Sequence, residues 1–163
     1  MIFRLSTKLA AKIHETPNVC LPPDPNPFTD WSAHVFNAGR TQYILLTNTP
    51  SLYSVVTLGR GITDYSDFID AALTAIREFM VADGMEFIFR KFIASASGDI
   101  RLSKALNRSV TGSMNDLVRC GTFDLVERGL SLFDAASALN DMPMSAIGYK
   151  HPREVFKGLE VAS

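Results

Sequence analysis

Gln42-Tyr43-Ile44-Leu45-Leu46-Thr47 is the run on which the fold turns. Aromatic and β-branched residues frame it, and its apolar character is nearly unbroken, as in a strand covered on both faces. Just upstream, Ala33 and Val35 alternate with His34 and Phe36 after Trp31. Ala38-Gly39-Arg40-Thr41 between the two runs reads as a hairpin turn. Downstream, Asn48-Thr49-Pro50-Ser51 is a second turn, and Leu52, Tyr53, Val55, Val56 and Leu58 supply a third strand. Connections this short cannot hold a crossover, so the three strands predict an antiparallel meander.

Working outward, Met1 to Ser6 reads as a short strand, and Asp99 to Leu106 as another, where Ile100 and Leu102 alternate with Arg101 and Ser103. Ser6 or Thr7 can cap a helix over Lys8 to His14. The tract Pro22-Pro23-Asp24-Pro25-Asn26-Pro27 predicts an extended surface connector. A helix from Ser66 or Asp67 to about Ala82 carries Phe68, Ile69, Ala72, Leu73, Ile76, Phe79 and Met80 on one face, and Asp83-Gly84 ends it. Met85 to Ala96 has helical offsets as well. Ser131 with Asp134 is a capping box for a further helix, and Pro152 stands at the favoured first position of the last one. The fold class is α+β: a single domain over 1–163, with an antiparallel sheet of about four or five strands packed on several helices.

The densest polar run is Asn107-Arg108-Ser109-Val110-Thr111-Gly112-Ser113-Met114-Asn115-Asp116, placed where a strand should give way to a helix. Ser113 and Asp116 have capping-box spacing, which predicts a helix starting at Ser113. A helix N-terminus offers free N–H donors and positive partial charge, and Arg108 adds a forked cation upstream. Arg108, Ser109, Ser113, Asn115 and Asp116 are therefore candidate ligand-binding residues for a phosphate or carboxylate. His151, in the basic cluster Tyr149, Lys150 and Arg153, is a candidate to join them. The competing reading is that Ser113 and Asp116 only cap a helix.

Composition narrows the classes. With 163 residues and 47% hydrophobic content, one domain can bury a core. A net charge of −1 gives no electrostatic argument for nucleic acid as a bulk partner. Cys20 and Cys120 are too few for a disulfide scaffold, and no apolar run has the length of a membrane span, so a cytoplasmic protein is expected. The three histidines lack metal-ligand spacing, so neither metal nor cofactor is expected. Ser113 lacks the G-x-S-x-G elbow, and Asp64, Asp67 and Asp70 lack the glycine and terminal glutamate of a calcium loop. No catalytic residue is assigned.

The polar decapeptide, together with Gly148-Tyr149 and Pro152-Arg153-Glu154, resembles an uncharacterised family of bacterial proteins of about this length. Met1-Ile2-Phe3-Arg4, Thr7-Lys8-Leu9, Trp31 and Gly39-Arg40 extend the likeness over most of the chain. The resemblance implies a shared single-domain fold and a bacterial or mobile-element origin, and it carries over no catalytic residue. Arg119-Cys120-Gly121 departs from the continuous apolar helix expected there.

Three functions are compatible with this sequence. One is a non-enzymatic binding or accessory protein, holding an anionic small molecule or a protein partner at the strand-to-helix junction. Another is an enzyme acting on a phosphate- or amide-bearing substrate with Ser113 at a helix N-terminus. The last is a protein-interaction factor of a mobile element, inhibitor- or antitoxin-like, with an exposed apolar patch among Phe87, Phe89 and Phe92.

Overall fold

The computed structural model describes residues 1–162. Five strands form one sheet in the order β4-β3-β2-β1-β5: β1 (Ile2–Leu5), β2 (Asp30–Ala38), β3 (Thr41–Asn48), β4 (Ser54–Leu58) and β5 (Arg101–Lys104). The predicted meander is present: β2, β3 and β4 are antiparallel, with Val35 opposite Ile44 and Leu46 opposite Val55. Gly39 takes a positive φ of 62° in the β2–β3 turn, a conformation open to glycine at no steric cost. Antiparallel ladders hold most of the paired residues, but β1 runs parallel to both β2 and β5. Long connections make this possible, since the chain between β1 and β2 includes helix α1 (Thr7–Lys12) and the proline tract.

Both sheet faces are buried. One side carries Phe3, Trp31, Ala33, Leu46 and Val55 in register across the strands. Helix α2 (Tyr65–Ala82) lays Phe68 edge-on against Phe3 there, at 5.4 Å between ring centroids. Phe156 of α6 (Pro152–Lys157) meets Trp31 and stacks on Tyr53. Trp31 is thus a core aromatic, its Nε1–H donating to the Phe28 carbonyl.

The opposite side is more polar. Arg4 is 1% exposed, and all five of its N–H donors are used. Nε and Nη2 donate to the two oxygens of Asp30, each at 2.8 Å, and the rest reach the Leu21 and Pro22 carbonyls and Ser103 Oγ. The proline tract is therefore pinned to the sheet by a buried guanidinium.

Helix α3 (Glu86–Ile88) continues through a wider π turn over Phe89–Ile93 and a 3-10 turn over Ala94–Ala96. Phe87 is 62% exposed, but Phe89 is buried and Phe92 stacks on Phe28 at 4.6 Å. The expected apolar patch does not form, because helical geometry turns two of the three rings inward.

Helix α4 (Arg108–Val126) requires the main correction. Its N-cap is Asn107, whose side-chain oxygen accepts from the Val110 N–H at 2.9 Å. Ser113 lies in the second turn, buried, and Asp116 pairs with Arg119 on the exposed face at 3.3 Å. The apolar stripe Val110, Met114, Leu117 begins before Ser113, so burial of that stripe sets the start. The helix also runs unbroken through Gly121, which sits against Leu139 of α5 (Leu132–Asn140). Packing there offsets the roughly 1 kcal/mol that glycine costs a helix. Ser131 caps α5 as predicted, accepting from the Asp134 N–H at 3.0 Å. Asp64, rather than Ser66 or Asp67, caps α2.

Candidate functional site

Beyond Leu5 the sheet loses its β1 strand, and the outer half of β2 is left beside α1 and the first turns of α4. His34 lies there, half-buried, between two adjoining cavities. One, of about 660 Å³, is lined by Ser6, Ala10, Pro17, His34, Lys104 and Thr111 among others. Its neighbour, of about 460 Å³, shares Ser6 and His34 and adds Lys8, Phe36, Asn115 and Val118. The cleft thus gathers residues from β1–α1, β2, β5 and α4.

Its polar groups fall into two sets. Ser6 Oγ accepts from the Leu9 N–H, capping α1, and Thr111 Oγ1 donates to the Asn107 carbonyl. The His34 imidazole, the Asn115 carboxamide and the Lys8 and Lys104 ammonium groups have no hydrogen bond or ion pair with the described residues. Burial holds the His34 pKa below its ordinary 6.5, so the ring is neutral at neutral pH. A neutral imidazole can donate one hydrogen bond and accept another. With two lysines on the rim against the single carboxylate of Glu15, the cleft matches an anionic ligand that also offers polar atoms.

The residues proposed from sequence separate. Asn115 enters the cleft, and Thr111 of the same decapeptide lines its other half. Arg108 and Ser109 are exposed in the first turn of α4 and line none of the four main cavities. Ser113 is buried within the helix, which removes the basis for a serine at a helix N-terminus. His151 is exposed at the N-cap position of α6 and shares no main cavity with Arg108. Its neighbour Arg153 is consumed structurally. It donates to Asp83, Asp141 and Ser137, while Tyr53 Oη donates to Asp83 at 2.8 Å. Burial alone would lower the Arg153 pKa, but the bonds to the two carboxylates outweigh it and hold the pKa above normal. Burial first, and the Asp83 contact second, push the Tyr53 phenol far above its usual range.

Sequence reasoning missed His34, Lys8 and Lys104. The outward place of His34 in an alternating strand was the available signal; its partners are too far apart in the chain to be read together.

A mixed five-stranded sheet with a cleft at its open corner defines a single α+β domain. The chain belongs to the family described as Domain of unknown function (DUF6933), which it matches over residues 2–155. No curated protein matches it. No helix among the described residues is long and apolar enough to cross a membrane.

Proposed function

We propose that the protein is a non-enzymatic binding or accessory protein whose ligand, a small anion bearing polar atoms, lies in the cleft between α1, β2 and α4. The observation carrying this reading is the uncommitted Asn115 carboxamide in the same concavity as the uncommitted His34 imidazole. Lys8 and Lys104 supply attraction, and His34 and Asn115 supply direction. Arg108, about two turns before Asn115, would widen the positive approach to the cleft.

The test is NMR titration of 15N-labelled protein with inorganic phosphate and with acetate. Binding should shift the amide signals of His34, Thr111 and Asn115, and Asn115→Ala with Lys104→Ala should abolish the shifts. Shifts confined to other surfaces, or unchanged by the paired substitution, would remove the assignment.

A further inference from the structure

The cleft is not uniform along its length. The two cavities that meet at Ser6 and His34 are followed by a third, of about 130 Å³, which shares Lys8, Phe36 and Asn37 with the second and adds Lys12 and Gln42. Together they follow β2 from His34 to Asn37, roughly 10 Å of strand.

Charge and polarity change along that line. The first and largest cavity has apolar surface from Leu5, Ala10, Ala11, Pro17 and Ala105, and its one lysine, Lys104, is matched by Glu15. The other two carry Lys8 and Lys12 with no carboxylate. These lysines are four residues apart on α1, so they share a face, roughly 6 Å apart along the axis. Neither forms an ion pair with the described residues. The carboxamides of Asn37, Gln42 and Asn115 line the same end, and none of them is taken up by a side-chain hydrogen bond among the described residues. Neighbouring elements bring no free acid to it. The only acid of β2, Asp30, is bound to Arg4 at the far end of the strand, and Asp116 of α4 is paired with Arg119.

The geometry points to a phosphate monoester of a small apolar or aromatic body as the ligand, with the body in the first cavity and the phosphate at Lys8 and Lys12. This rests on the anion-binding reading of the cleft and adds to it a ligand class and an orientation. Two cations with no acid between them suit a group close to two negative charges, which a phosphate monoester carries at neutral pH and a carboxylate does not. The three carboxamides supply N–H donors to its oxygens. At about 660 Å³ the first cavity is within the range of small-molecule sites, so a single ring has room there. The reverse orientation would set the phosphate beside Glu15 and bury the carboxamides against an apolar body, unfavourable at both ends.

Titration calorimetry with inorganic phosphate, phenyl phosphate and phenylacetate tests this. Phenyl phosphate should bind on the order of tenfold more tightly than inorganic phosphate, the gain from burying part of a ring. It should also bind more tightly than phenylacetate, and added salt should weaken it. Lys8→Ala with Lys12→Ala should weaken both phosphates alike. Ala11→Phe and Ala105→Phe place a ring in the first cavity from two exposed positions; each should erase the advantage of phenyl phosphate and leave inorganic phosphate unchanged. Equal affinity for the two phosphates would overturn the ligand class and leave the anion-binding reading in place, whereas binding of neither would remove both. Tighter binding of phenylacetate would overturn the proposal. So would phenyl phosphate binding that the paired lysine substitution leaves unchanged, or a phenyl advantage that survives both phenylalanine variants.

Discussion

Arg4 and Asp30 face each other across neighbouring parallel strands in a two-bond fork, both bonds 2.8 Å long and closed to solvent. Replacing one partner strands the other as a buried charge. Arg4→Met should therefore lower stability by about 3–5 kcal/mol in urea unfolding. Adding Asp30→Leu should recover part of that loss, because the stranded carboxylate goes with it. A fall under about 1 kcal/mol for the single variant would refute the buried fork.

The start of α4 gives a sharper comparison. Asn107→Ala removes the cap and should cost about 1 kcal/mol. Ser113→Ala should change stability by no more than about 0.5 kcal/mol, since alanine suits a helix interior. Thermal unfolding of the two variants decides the order; the reverse ranking would restore the start at Ser113.

His34 predicts a pH effect of definite sign. Its folded pKa lies below the ordinary 6.5, so the unfolded chain binds the proton more readily. The contribution is complete above about pH 6.5 and is lost as pH falls through the lowered folded value. His34→Gln should flatten that part of the stability profile, measured by denaturant midpoints between about pH 7 and pH 4. An unchanged slope would show that the ring's burial carries no energetic weight.

Arg153 joins α6 to Asp83 at the end of α2 and to Asp141 after α5. Arg153→Lys should not rescue the loss seen in Arg153→Met, because an ammonium cannot reproduce the planar fork. Each should cost about 1.5–3 kcal/mol by urea unfolding, the range for bonds to charged groups. Full stability in the lysine variant would mean that charge alone suffices.

The elements legible in sequence are those whose signals are local. Gly39-Arg40 between two strand-like runs identifies a hairpin, and Ser131 with Asp134 identifies a cap, because the deciding atoms lie within four residues. The α4 start was misplaced because Asn107, Ser109, Thr111 and Ser113 are all capping residue types; packing of the partly buried Val110 and the buried Met114 and Leu117 against the core, a tertiary fact, chooses among them. Alternation locates β1 and β5 but says nothing of direction, so their parallel pairing was hidden. The cleft was hidden for the same reason, since Ser6, His34, Lys104 and Asn115 meet only after the sheet has formed.

The central place of β1 has a consequence during synthesis. Ile2–Leu5 are synthesised before both of their sheet neighbours, which arrive only with Asp30 and Arg101. Until then the middle of the sheet is an apolar edge in search of a partner, the kind of surface that aggregates or recruits chaperones. Nascent chains arrested short of Arg101 should be held by such factors, and release should follow once β5 has emerged.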